Sequence, residues 1–186
     1  ISVIELFAQG DLGTNFISRR ADSDRAPDLY RRYEVAGAAH ADPWEGRSFA
    51  DAVDARRATG QDAAPPLSCQ PAGVQDTDFP ARHAINAAWR HLDAWVRKGS
   101  PAPRAQPLQM RVPLAEPFDP ERAFFTDEVG NAKGGVRSPL VDVPVARYVG
   151  AKTGAFSCMF DGYMYAFDAA RLRQLHGDAR QDRKSV

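Results

Sequence analysis

An apolar run cut short by glycine and a carboxylate constrains this chain more than any other feature. Val3, Ile4, Leu6 and Phe7 are nearly continuous, and Gly10-Asp11-Leu12-Gly13 comes directly after. A strand with one wet face alternates apolar and polar residues, whereas a near-continuous run suits a parallel strand covered on both faces. Residues 1–9 are therefore expected to form a buried strand of an α/β sheet. A strand with no polar lead-in is expected to be an internal piece of a larger sheet, so the chain reads as the C-terminal portion of a longer protein.

Residues 30–35 give a second short strand, and the Asp- and Arg-rich stretch 19–28 before it reads as a solvated connection. Small residues Ala36-Gly37-Ala38-Ala39 then lead to His40. In a parallel sheet, reactive groups emerge where the carboxyl ends of strands converge. Asp11 comes after the first strand and His40 after the second, so both are expected at the same edge of the sheet. A serine hydrolase needs this pair. The histidine takes the serine proton, and the carboxylate fixes the imidazole tautomer and stabilises its charged form. The small residues before His40 are expected to turn tightly and leave space beside the imidazole.

Later segments are less specific. Residues 48–59 suit a polar, Ala-rich helix. After Pro80, the positions Ile85, Ala88, Trp89, Leu92, Trp95 and Val96 keep to helical spacing, with Lys98 and Gly99 ending the helix. Both tryptophans are expected in the core. A Pro-rich connector (100–106) precedes alternating Leu108, Met110 and Val112, and Asp127–Asn131 has hairpin-turn chemistry. Residues 141–148 read as extended, and a last helix starts near Phe167 with Asp168 as N-cap.

Three segments carry a resemblance. Val-Ala-Gly-Ala-Ala-His-Ala-Asp (35–42), preceded by Tyr-Arg-Arg-Tyr-Glu (30–34), looks like the catalytic-histidine segment of the bacterial α/β-hydrolase-domain family with a long C-terminal extension. Residues 84–99 resemble that family's amphipathic helix, and residues 127–146 its later hairpin region, in the family's order. The resemblance spans residues 1–176. It implies an α/β fold: residues 1–99 would be the C-terminal end of the hydrolase parallel sheet, and 100–176 a β-rich, loop-rich extension of the same domain. Residues 177–186 read as a polar tail, of which 182–186 are either frayed or non-native. The resemblance further implies Asp11 as orienting carboxylate and His40 as general base and then general acid, acting on a small-molecule ester or related substrate. Where the family has an acidic residue two positions before the acid, this chain has Gln9; Glu5, inside the strand, is the other carboxylate nearby. No Gly-x-Ser-x-Gly string occurs, and Gly46-Arg47-Ser48-Phe49-Ala50 lacks the last glycine. The nucleophile and oxyanion hole are thus expected upstream, leaving this polypeptide inactive by itself. A non-catalytic binding or structural module on a hydrolase-like scaffold is the rival reading.

Other chemistries fit poorly. With 24 basic and 24 acidic residues and no basic face, nucleic acid and anionic membranes are poor partners. No apolar run approaches the roughly 20 residues that span a bilayer. His40 with Asp42 lacks further ligands at metal spacing, and no cofactor motif occurs. Asp22, Asp24 and Asp28 read as a solvated loop, not a calcium site, and Gly134-Gly135 as a turn, not an anion nest. His83, His91 and His176 read as surface residues. The aromatic stretch 160–165 suits packing better than an acyl pocket. Cys69 and Cys158 have no redox or metal spacing; a bridge and two separate buried thiols both fit, as do cytoplasmic and secreted locations.

Overall fold

The computed structural model describes residues 1–42, 52–60, 69–112, 118–154 and 156–177. The apolar run forms β1 (Ser2–Ala8). A 3-10 turn (Gln9–Asp11) and a short helix, α1 (Leu12–Asn15), then turn the chain back. Next come β2 (Ser23–Arg25) and β3 (Asp28–Val35). β1 and β3 are parallel neighbours, in register from Ser2↔Leu29 to Ala8↔Val35. The sheet order is β1-β3-β2, with β2 antiparallel to β3.

Two sequence expectations change here. The described sheet is mixed and has a single parallel strand pair, because only two residues separate β2 from β3 and a connection that short permits only antiparallel pairing. β1 is also only partly covered: among the described residues it pairs on one side alone, and Val3 is 42% exposed.

The stretch 19–28 is not merely solvated. Arg19 grips both oxygens of Glu34 (2.8 and 2.6 Å), and Arg32 donates to Glu34 Oε1 at 2.9 Å. Arg31, nearly fully buried, donates to Asp24, which also accepts from Arg104. Asp22 accepts the Arg32 N–H, and Asp28 pairs with Arg20. Asp22 and Asp24 thus hold the buried Arg31 and Arg32, while Asp28 pairs with the exposed Arg20. Buried arginine requires such partners, since an unpaired guanidinium out of water is costly.

Burial alone would push the Glu34 carboxyl up. The bond from Arg19, the Leu108 N–H (2.8 Å) and Arg32 together outweigh it and hold the group below its ordinary value of 4.5. A depressed carboxyl stabilises the fold fully above the unfolded value and loses that contribution as pH falls through the folded one. Acid-induced loss of stability is therefore expected to set in below pH 4.5. Urea midpoints between about pH 3 and 7 should fall on the acid side, with a smaller drop in Glu34→Gln; equal drops in both proteins would exclude this group as the cause.

Four α-helices and three strands follow among the described residues. α2 (Ala52–Thr59) lies within the helix expected over 48–59. β4 (Gln75–Asp76) precedes α3 (Arg82–Lys98), which ends with Gly99 in the left-handed region as its C-terminal cap. α3 packs on β1. Trp95 is buried under the Arg31 guanidinium, 4.7 Å from its ring centroid, but Trp89 is 66% exposed. Trp89 borders an open apolar groove with Ile4, Leu6, Ile85 and Leu92, so among the described residues helical spacing places one tryptophan too many in the core.

The described residues from Gly99 onward hold few regular ladders. α4 (Pro139–Asp142) replaces the start of the extended stretch expected over 141–148, since Pro139 suits a first helical position. β5 (Ala146–Val149) and β6 (Tyr163–Ala166) join β4 in an antiparallel sheet of order β4-β6-β5, and α5 (Ala169–His176) starts at Asp168, whose side chain accepts the Arg171 N–H. Leu108 and Met110 are buried in isolated bridges, while Val112 is exposed. Val136 lies parallel to Val35, exchanging backbone bonds with Glu34 and Ala36. Gly134 and Gly135 turn the chain there with φ of 77° and 71°, and a side chain on Gly135 would strike the Glu34 carbonyl. Ala36, Ala38, Phe79, Leu108, Phe124 and Tyr148 share one core, so this segment packs against the turn that leads to His40. No helix among the described residues is long and apolar enough to cross a membrane.

Candidate active site

Asp11 and His40 stand at the carboxyl ends of β1 and β3. Parallel register carries Ala8 beside Val35, so the two chain segments beyond them leave the sheet together. The 3-10 turn after β1 folds Asp11 back, and its Oδ2 accepts the Ala8 N–H at 2.7 Å. Its Oδ1 lies 2.6 Å from His40 Nδ1. One carboxylate oxygen is thus spent on fixing the carboxylate itself and the other on the imidazole. With an ionised Asp11 as acceptor, Nδ1 carries the proton and Nε2 keeps its lone pair. The Asp11 side chain is largely buried (16% exposed), while His40 is 54% exposed. Among the described residues, no hydrogen bond is made to His40 Nε2.

A cavity of about 450 Å³ opens beside the pair. Leu6, Phe7, Met159 and Phe160 give it apolar walls, and Thr14 and Asn15 add polar groups. No serine or cysteine lines it among the described residues. The imidazole also packs on the Phe160 ring, with centroids 4.6 Å apart and planes tilted by 40°. Phe160 therefore lines a cavity, while Tyr163 and Met164, from the same aromatic stretch, are core residues.

The small residues before His40 do not hold space open. Ala36, Gly37, Ala38 and Ala39 are all buried, and Ala38 O accepts the Gly10 N–H (3.3 Å). Gly37 has φ 81°, and any Cβ there would press on Phe79 and Tyr148. Their smallness permits close packing of three backbone segments: the turn, Gly10, and the loop around Gly150 and Gly162. A Cβ on Gly10 would collide with the Gly150 carbonyl. Gly10→Ala should therefore cost about 1–3 kcal/mol as overpacking and displace Asp11 from His40. A thermal midpoint equal to wild type would show that this contact tolerates a methyl group.

Gln9 is a residue whose role the sequence pattern does not reveal. It is buried, and its Oε1 accepts the Gly37 N–H at 2.8 Å, tying the start of the histidine turn to the end of β1. A neutral amide suits a single backbone donor in a buried place better than a carboxylate would. Glu5 is directed elsewhere: it accepts the Tyr30 hydroxyl and lies 3.7 Å from Arg32. Asp42 is buried and accepts the Arg82 N–H (3.0 Å) at the start of α3, so it anchors a helix rather than joining His40. His83 and His91 are exposed, and His176 meets the Pro144 carbonyl. Among the described residues, no three His, Cys, Asp or Glu side chains gather as metal ligands. Cys69 and Cys158 form a disulfide. The near-elbow string around Ser48 and the tail from residue 178 lie outside the described residues.

The pair can hold and move one proton at Nε2 beside an apolar cavity. A sequence model of the family described as an alpha/beta hydrolase domain matches residues 1–182. No curated protein matches the chain, and no solved structure does.

Proposed function

The chain belongs to the alpha/beta hydrolase domain family, and from that premise we propose that it supplies the general-base half of a serine acyl hydrolase acting on esters or related carbonyl compounds. Asp11 keeps the proton on His40 Nδ1 and offsets the charge that the imidazole gains. His40 Nε2 takes the proton from a serine Oγ as that oxygen attacks the carbonyl carbon, and returns it to the leaving alcohol. Water then attacks the acyl-serine with the same base, releasing the acid. The serine belongs to a part of the protein outside these residues. The lack of a Gly-x-Ser-x-Gly string supports this, and so does the order of acid before histidine, which in this superfamily comes after the nucleophile.

The observation that carries the reading is the 2.6 Å bond between a largely buried carboxylate and a half-exposed imidazole at adjacent strand ends. A purely structural histidine would gain nothing from exposure at a cavity. We read residues 1–99 as the end of the hydrolase core and residues 100–176 as an extension of the same domain; Met159 and Phe160 in the cavity lining support a role of that extension in walling the site. The apolar lining favours a substrate with an apolar acyl or alkyl group.

The test is hydrolysis of p-nitrophenyl esters of graded chain length by the full-length protein, with acid-quenched mass spectrometry of the enzyme. The expected result is turnover with an acyl adduct on a serine. No turnover of esters, thioesters or amides, or an adduct confined to another residue type, would defeat the reading.

A further inference from the structure

We propose that Phe160 is a positioning residue for His40, held in place by the Cys69–Cys158 disulfide. The claim deepens the hydrolase reading and rests on it. Among the described residues His40 has one fixing hydrogen bond, from Nδ1, and its side chain is half-exposed. A single bond leaves an imidazole free to swing about that contact, and a general base displaced by about 1 Å can lose about 100-fold in rate. A second constraint is therefore needed, and Phe160 provides it by covering one ring face at 4.6 Å.

Phe160 is itself secured from two directions. Its carbonyl accepts the N–H of Ala41, the residue next to His40, at 2.9 Å, so the two aromatic side chains sit on segments joined at the backbone. Two residues earlier, Cys158 is fully buried and bonded to Cys69, 89 positions away in sequence. Beside that bridge Gln70 and Thr153 exchange two backbone bonds of 2.8 Å each. The Cys158 carbonyl also accepts the Asp161 N–H. The 3-10 helix Phe156–Phe160 is thus stapled at Cys158 and presents Met159 and Phe160 to the cavity. The covalent link confines this turn, and with it the ring on the imidazole.

The test compares Phe160→Leu, Phe160→Tyr, the double variant Cys69→Ala/Cys158→Ala and His40→Ala in the full-length protein. Leucine keeps an apolar wall but loses the flat ring; tyrosine keeps the ring. Phe160→Leu should lower kcat about 10- to 100-fold for every acyl length, with KM of the shortest ester unchanged. Phe160→Tyr should retain kcat within about 3-fold, and the cysteine variant should match Phe160→Leu without adding to it when combined. The His40 ring protons should also lose their ring-current shift in Phe160→Leu by NMR. Wild-type kcat in Phe160→Leu beside an inactive His40→Ala would overturn the positioning role alone, as would a change seen only in KM. Full activity in His40→Ala would remove the hydrolase reading, and this role with it.

Discussion

Asp11→Asn in the full-length protein is expected to lower kcat for ester hydrolysis by about 10⁴-fold with little change in KM or thermal midpoint. The substitution keeps size and one acceptor. Its amide oxygen can still take the Ala8 N–H that Asp11 Oδ2 takes at 2.7 Å, so the turn after β1 should survive. The change lies on the other side. Asp11 Oδ1 accepts from His40 Nδ1 at 2.6 Å, whereas an amide NH₂ in that place donates. The imidazole must then accept at Nδ1 and carry its proton on Nε2, the atom that should receive the proton from serine. The base is present in the wrong tautomer, and no carboxylate offsets its charge. Steady-state kinetics beside thermal melts check this. A kcat within tenfold of wild type would mean that Asp11 does not serve as the orienting carboxylate.

Glu34→Ala is expected to have the largest effect on stability, about 3–5 kcal/mol. Glu34 is 1% exposed and accepts from Arg19, from Arg32 and from the Leu108 N–H. Arg32 is itself 5% exposed at its side chain, so removing its carboxylate leaves a buried cation without its closest charge partner. The Leu108 N–H loses its acceptor as well, and an orphaned buried donor adds its own cost. The damage should reach the site: Arg32 also donates to Ser18 Oγ and to the Asn15 carbonyl, which fixes the chain just after α1 and a few residues beyond Asp11. Urea unfolding monitored by circular dichroism gives the number, and a loss below about 1 kcal/mol would show that water replaces these contacts. Glu34→Gln should lose less, since it keeps an acceptor oxygen.

Local signals in the sequence carried the parts of this fold that depend on neighbouring residues. The apolar run of β1, the break at Gly10, the cap at Asp168 and the glycine after Lys98 all act within a few positions. The meeting of side chains 11 and 40 was also legible, because two short strands paired in parallel deliver their outgoing turns to the same end of the sheet. Features that depend on distant partners were not. Nothing local marks Glu34 as the acceptor for Arg19 and Leu108, or Gln9 as the partner of Gly37. Phe160 stands far from His40 in sequence, and its aromatic stretch resembles any core strand until the backbone turns at Cys158. The small residues of 36–39 mislead for the same reason: their size reflects glycines at 10, 150 and 162 that pack on them. Helical spacing, finally, gives the apolar side of α3 but not which of its positions other segments cover; among the described residues Trp95 is covered and Trp89 is not.

The most direct test of the central claim is the rate at which a fluorophosphonate labels the full-length protein, wild type against His40→Ala. Such a reagent reports proton removal from a serine without requiring the natural substrate. The expected result is covalent phosphonylation of one serine in wild type, slowed by at least about 1,000-fold in His40→Ala. Equal labelling rates in the two proteins, or no labelling of wild type, would contradict the account.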